Sequence, residues 1–231
     1  MKLKACINGP RTPRDHPAVP VSGEQIAAES IAAVQAGAEA IHVHPKRPDG
    51  TDSLEAEHVA IAVDAARQAG VPVGVTTGAW STPTPGARVD AIASWTVLPD
   101  FASVNWHEEG ASDVARLLLD RGVGVEAGLW NAAAAEAWLG SGLTQKCLRA
   151  LLEVQPGDSS EVGAELVALT STTGIPLLLH GQGDACWDSL RTAVELGLAT
   201  RIGLEDILTL PDGSPATGNA DLVAAAVALL P

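Results

Sequence analysis

Two histidines one residue apart, in the run Ala40-Ile41-His42-Val43-His44-Pro45, are the side chains here best suited to chemistry. In an extended strand, side chains two apart share a face. Ile41 and Val43 then face one way and His42 and His44 the other, with their Cα atoms about 6.5 Å apart. Two imidazoles so placed can converge on one divalent ion, each at about 2.0–2.1 Å. The plainer alternative is a pair of hydrogen-bonded core histidines. A third donor comes from the run Arg201-Ile202-Gly203-Leu204-Glu205-Asp206. Read as a strand, it turns Ile202 and Leu204 outward and Arg201, Gly203 and Glu205 inward, while Asp206 begins the next loop. Burying an unpaired Glu or Arg is costly. A metal and an anionic partner would account for both, and the alternative is a structural ion pair. His42, His44 and Glu205 are therefore the expected metal ligands. Mixed imidazole and carboxylate ligation suits zinc, and also iron, manganese or cobalt.

Further polar residues fall in phase on other apolar runs. The first run offers Cys6 and Asn8, and the third ends in Thr76-Thr77-Gly78. The fourth has Ser103 and Asn105 with His107 beyond, the fifth has Glu126, and the seventh ends in His180 before Gly181-Gln182-Gly183. His107 and His180 fit contacts to substrate or to ligands better than ligation itself. Gly181-Gln182-Gly183 lacks the third glycine of a dinucleotide fingerprint, and no P-loop, Gly-x-Ser-x-Gly or His-Glu-x-x-His motif is present. Cys6, Cys147 and Cys186 lie far apart, which argues against a disulfide framework or a cysteine zinc site.

These residues must be positioned by something, and the pattern around them is regular. Eight short apolar runs, from LKACING to TRIGLED, alternate with helix-like stretches. Ser22 stands where an N-cap belongs, before a stretch with helical spacing through Ile26, Ser30, Ala33 and Gly37. Further helices are expected over 53–68, 86–94, 111–120, 132–139, 159–172, 185–196 and 220–229. Eight strand–helix units predict one (β/α)8 barrel over residues 1–231, a compact case of a fold that typically takes about 250 residues. An open doubly wound sheet is the competing architecture. Catalytic groups of such barrels sit at the C-terminal ends of the strands, where the polar residues above lie.

Composition narrows the partners. The 231 residues are 46% hydrophobic and 18% charged, as in a globular protein. A net charge of -14 disfavours nucleic acid and anionic membranes. Aromatic residues at 3%, with no tyrosine, disfavour a stacking platform for sugars or bases. No apolar run approaches the eighteen or so residues of a membrane span, and MKLKACINGP lacks the apolar stretch of a signal peptide. The expectation is a cytoplasmic protein acting on small molecules.

The segments ACINGPRT, HPAVPVSGEQIAAESIAAVQAGAEAIHVHP and RIGLED together resemble the β-keto acid cleavage enzymes, which include the 3-keto-5-aminohexanoate cleavage enzyme of lysine fermentation. HVHP followed by RxGxED in that order is a specific pairing. The resemblance implies a zinc-dependent (β/α)8 barrel, commonly a homotetramer, converting a β-keto acid and acetyl-CoA into acetoacetate and a new CoA thioester. It implies zinc on His42, His44 and Glu205, an acid–base pair of Arg201 and Asp206, and substrate contacts from Thr76 or Thr77 and from Ser103 and Asn105. Where the family often has Glu two residues after the first-strand glycine, this chain has Arg11. That exchange disfavours a cationic substrate and favours an anionic or neutral side chain. Lys46 and Arg47, with Arg11 and Arg14, are candidates to meet the phosphates of CoA. A metal-dependent hydrolase on the same fold is the alternative. Such barrels usually carry the His-x-His on the first strand and an Asp at the end of the last.

Overall fold

The computed structural model describes residues 2–159 and 161–231. Eight parallel strands and eight main helices alternate along the chain: β1 (Leu3–Cys6), α1 (Gly23–Gln35), β2 (Ala40–Val43), α2 (Ala56–Ala66), β3 (Val73–Thr76), α3 (Pro85–Ala93), β4 (Phe101–Asn105), α4 (Ala111–Asp120), β5 (Gly124–Leu129), α5 (Ala132–Gly140), β6 (Arg149–Val154), α6 (Glu161–Thr170), β7 (Leu177–Gly181), α7 (Cys186–Glu195), β8 (Thr200–Ile202) and α8 (Asn219–Val227). The strands pair in the order β7-β6-β5-β4-β3-β2-β1-β8. A parallel bridge between Leu178 and Ala199 brings β7 to β8 and nearly closes the ring. The expected (β/α)8 barrel is the fold, and the open doubly wound sheet is excluded.

Strand alternation divides the chain into two environments. Ile41 and Val43, Val73 and Val75, Ala102 and Val104, Ala150 and Leu152 are fully buried and pack against Ile26, Val59, Ile92, Leu118 and Leu166 of the surrounding helices. The alternate residues point into the barrel. At its floor Lys4 pairs with Glu126, Arg149 Nε lies 3.2 Å from Glu126 Oε1, and both cations sit over the Phe101 ring at 5.4 and 5.9 Å. Glu126 is therefore a floor residue.

The helices start largely where local chemistry starts them. Ser22 caps α1, accepting from Gln25 N, and the Gln25 side chain accepts from the Ser22 backbone in return. Thr84 and Asn131 cap α3 and α5 by accepting from Ala87 N and Ala134 N, with no reciprocal bond. Two helices expected as continuous end instead in a tighter turn, at Arg67–Ala69 and Ser171–Thr173, each stopped by a left-handed glycine, Gly70 and Gly174. α2 begins at Ala56, not Ser53, because Ser53 is buried and its hydroxyl pairs with His58 Nδ1 and Glu55 N. The start expected for α6 lies partly outside the described residues. All three cysteines are buried and free. Among the described residues no helix is long and apolar enough to cross a membrane.

Candidate metal centre and substrate cavity

His42 ends up on the inner face of β2 and His44 just past its last residue, both buried. Asn8 fixes the second of them: its Oδ1 accepts from His44 N at 2.8 Å and its Nδ2 donates to His44 O at 3.0 Å. Glu205 is delivered differently from the extended strand expected. β8 stops at Ile202, and the chain turns back at Gly203, whose carbonyl accepts from both Asp206 N and Ile207 N. A Cβ on Gly203 would lie 2.0 Å from Cys6 O, so the turn hugs β1 only because that position is glycine. Glu205 N then donates to Cys6 O. Gly9 opposite has φ +57, and a Cβ there would meet Glu205 Cγ at 2.4 Å.

The turn brings three donors together. Glu205 Oε2 lies 3.8 Å from His42 Nε2 and 3.6 Å from His44 Nε2, and ligand atoms of the three residues all fall within 4.8 Å of one another. Glu205 Oε2 and His42 Nδ1 are buried without a hydrogen-bond partner. Two imidazoles and a carboxylate, converging with an orphaned oxygen between them, fit a divalent metal. Burial holds the His42 imidazole neutral, well below its usual range. Burial works the same way on His44, but the carboxylates of Asp52 and Glu205 outweigh it and carry that ring to about 9. Glu205 stays ionised despite its burial, because Arg201, His44 and His42 surround it.

The turn also swings Asp206 inward. It was expected to begin the loop; it is fully buried against Arg201. Arg201 Nη2 donates to Glu205 Oε1 at 2.9 Å and Asp206 Oδ1 at 2.7 Å. Burial raises the Asp206 carboxyl to about 7, with Arg201 opposing and Glu205 and Glu153 adding to the rise. Asp206 Oδ2 has no hydrogen-bond partner. Arg201 Nε donates to His180 Nδ1 at 3.0 Å, which places the ring hydrogen on Nε2, 3.3 Å from Glu153 Oε2. Burial and Arg201 lower His180 to about 4. Glu153 Oε1 accepts from the side-chain amides of Gln155 and Gln182. The result is a chain of contacts, Glu153–His180–Arg201–Asp206, along the inner wall beside the His–His–Glu cluster.

These groups border a cavity of roughly 260 Å³ at the C-terminal mouth, lined by His42, His44, Thr76, Ser103, Asn105, Glu153, Gln182, Arg201, Glu205, Trp80, Trp130, Leu151 and Pro10. Thr76, Ser103 and Asn105 are thus on the cavity wall, as their phase implied. Thr77 is not. Its hydroxyl donates to Ser103 O and its carbonyl accepts from Arg88, so it ties β3 to its neighbours. Asn105 is held by Glu108, which also pairs with buried Arg88. His107 is exposed and lies against the cavity-wall residue Trp130 with ring centres 4.1 Å apart. His180 lies against Arg201, Glu153 and Asp206.

Arg11 is half-buried at the rim, its Nε directed to Glu205 O at 3.4 Å. Lys46 is not available to a phosphate. Its side chain is fully buried and donates to Gly9 O, Arg11 O and Asp52 Oδ1. Arg47 is engaged by Glu55 and Asp52 O. Glu153 and Asp52 were not anticipated. The first was detectable, since Arg149, Leu151 and Glu153 alternate on an inward face like that of the histidine strand.

A (β/α)8 barrel that sets two histidines, a glutamate and an Arg–Asp pair together at its mouth has the donor set to hold a metal ion. The β-keto acid cleavage enzyme family model matches residues 1–231, and the chain belongs to that family. A 3-keto-5-aminohexanoate cleavage enzyme from Fusobacterium nucleatum subsp. nucleatum is 27% identical over 248 residues, covering 98% of this chain and 90% of that protein. Among solved structures, 3-hexulose-6-phosphate synthase superposes with a TM-score of 0.59 at 14% identity, covering 100% of both chains. The 3-dehydroquinate dehydratase of Enterococcus faecalis gives 0.57 at 13% identity, covering 87% of this chain and 88% of that one. At such identities these two speak to the fold alone.

Proposed function

We propose that the protein cleaves a β-keto acid with acetyl-CoA, giving acetoacetate and a new CoA thioester, with zinc at His42, His44 and Glu205. The observation that carries this reading is the Arg201–Asp206 pair set directly beside a His–His–Glu cluster at the mouth of one cavity. A divalent metal there supplies Lewis-acid polarisation of the keto carbonyl. Thr76, Ser103 and Asn105 orient the substrate's carboxylate and carbonyl. Asp206, whose Oδ2 is free to accept, takes a proton from the carbon between the keto and acid groups. Arg201 holds that carboxylate in place and keeps its own charge, since a guanidinium does not give up its proton readily. The enolate carbon attacks the acetyl carbonyl and the CoA thiolate leaves. The thiolate then adds to the substrate's original keto carbonyl, and the C–C bond between that carbon and the former enolate carbon breaks. Acetoacetate departs with the proton returned, and the remaining acyl group leaves on CoA. Arg11 at the rim favours a substrate side chain that is anionic or neutral. A homotetramer is proposed on family resemblance, and light scattering on the purified protein checks it.

The test is to incubate zinc-loaded protein with acetyl-CoA and a panel of β-keto acids, dicarboxylic and amino-substituted ones included. Mass spectrometry follows acetoacetate and new CoA thioesters. Product that requires both acetyl-CoA and Glu205 is the expected result. Turnover of a lactone or amide without acetyl-CoA would replace this reading with the hydrolase one.

A further inference from the structure

The two histidines of the cluster are held in unlike ways. His42 Nδ1 has no partner, whereas His44 Nδ1 meets Asp52 Oδ2 at 2.8 Å. Asp52 collects two further donors: Lys46 Nζ at 2.6 Å on Oδ1, and Trp80 Nε1 at 2.8 Å on Oδ2. The same indole stacks on the His44 ring, centres 6.0 Å apart and planes 21° apart. Trp80 is nevertheless 51% exposed and forms part of the cavity wall.

Each contact has a reason in the chain. After His44 the backbone makes a short excursion, closed by an antiparallel bridge between Lys46 and Asp52 that returns the carboxylate to the histidine it has just left. Lys46 is spent entirely inward, tying Asp52 to the carbonyls of Gly9 and Arg11 on the loop facing Glu205. Trp80 is carried by the turn at Ala79–Ser81 after β3, and Glu108 holds that turn by accepting from Ala79 N. A carboxylate behind a ligating imidazole fixes the ring and its tautomer and raises its basicity as a donor. A half-exposed indole normally turns its N–H to water. Here it spends that hydrogen on the carboxylate behind His44.

We infer that Asp52 and Trp80 are positioning residues of the metal centre: Asp52 sets His44 for ligation, and Trp80 latches Asp52 from the cavity side. Lys46 offsets the carboxylate's charge, so Asp52 orients the imidazole without leaving a bare buried anion. The latch joins two functions in one side chain. The indole that steadies Asp52 is also the wall that a substrate entering the cavity meets. This inference rests on the metal reading of His42, His44 and Glu205.

The test needs no knowledge of the substrate. Metal-free protein, Asp52→Asn and Trp80→Phe are each titrated with Zn2+ against a chelating dye, and with Co2+ while tryptophan emission is followed. Asp52→Asn is expected to weaken Zn2+ binding about 10–100-fold. Trp80→Phe keeps an aromatic ring over His44 and loses only the indole N–H to a charged acceptor, for an expected loss of about tenfold. Co2+ is expected to quench wild-type emission, with part of that quenching gone in Trp80→Phe and the remainder from Trp130 on the same cavity wall. Should Asp52→Asn fail to fold by circular dichroism, the exposed and conservative Trp80→Phe carries the test alone. Equal Zn2+ affinity in wild type and in every folded variant overturns the inference and leaves the metal reading standing. Absence of binding by wild type overturns the metal reading itself, and this inference with it.

Discussion

The floor and the mouth of this barrel are built from the same kinds of charged residue and close their charges in opposite senses. At the floor one carboxylate, Glu126, stands between Lys4 and Arg149, and the cationic excess rests on the face of Phe101. At the mouth one cation, Arg201, faces Glu205 and Asp206, with Glu153 further along the same wall. The floor pairs its charges among its own side chains, with Glu126 Oε1 left to its ion pair with Arg149 and not to a hydrogen bond. The mouth gathers three carboxylates around Arg201 and leaves four buried polar atoms without a hydrogen-bond partner, Glu205 Oε2, Asp206 Oδ2, His42 Nδ1 and His180 Nε2. A buried polar group left without a partner costs free energy. Glu126 Oε1 faces a fixed cation 3.2 Å away, whereas Glu205 and His42 border a cavity in which a cation and a substrate can complete them.

Four substitutions break or sharpen that contrast. The largest effect is expected from Glu205→Gln, which removes a proposed metal ligand at the mouth. Metal retained after dialysis should fall to background by elemental analysis, and acetoacetate formation should disappear. Wild type at a metal concentration 100 times its Kd should gain about 2.7 kcal/mol over the metal-free form, and the variant should gain nothing. Glu126→Gln is the matching change at the floor. Breaking a buried pair from one side costs about 3–5 kcal/mol, so denaturant unfolding should show a loss of that order while Zn2+ affinity stays put. A matching loss of affinity would mean that floor and mouth are not separable.

Acid stability distinguishes the wall from both. His180 titrates near 4 in the folded protein because it is buried beside Arg201, against an ordinary value of 6.5. Between those values the unfolded chain binds the proton more readily, so stability falls as pH falls from about 6.5 towards 4. The full effect is roughly 3 kcal/mol. His180→Gln, which can still accept from Arg201, should flatten this part of the stability–pH curve; an unchanged slope would remove His180 as its source. The smallest effect belongs to Arg11→Glu at the rim. A charge that solvent reaches is worth up to about 1 kcal/mol, hence a shift of about fivefold or less in KM, towards amino-substituted keto acids and away from dicarboxylic ones. A shift the other way would take Arg11 out of substrate recognition.

Much of the mouth was legible because strands have a period of two. His42 and His44 follow from that rule, as do Thr76, Ser103, Asn105 and Arg201 on the cavity wall. Glu205 was found by the same rule, although it sits on a turn, because a turn at Gly203 still aims the second residue after it inward. Asp206 shows where the rule ends: the turn that places Glu205 buries its neighbour as well. Thr77 faces away from Thr76 and is spent on the β4 backbone. Asp52 and Trp80 could not be read from periodicity, since they depend on how two loops fold back, one through the Lys46–Asp52 bridge and one through Glu108. Lys46 looked like a surface cation, because a pair six residues away along a loop leaves no periodic trace.

The meeting of β1 with β8 also sets an order of events. His44 and Glu205 are 205 − 44 = 161 positions apart, and β8 is the last strand of the ring. Glu205 reaches the histidines only after β8 has docked on β1 through Leu3, Lys4 and Ala5. A chain still emerging from synthesis, or one halted with seven strands in place, has both imidazoles and no glutamate to complete them. On the metal reading proposed above, capture of an ion by these three residues comes at the end of folding, and a link across so long a loop adds to the persistence of the finished barrel.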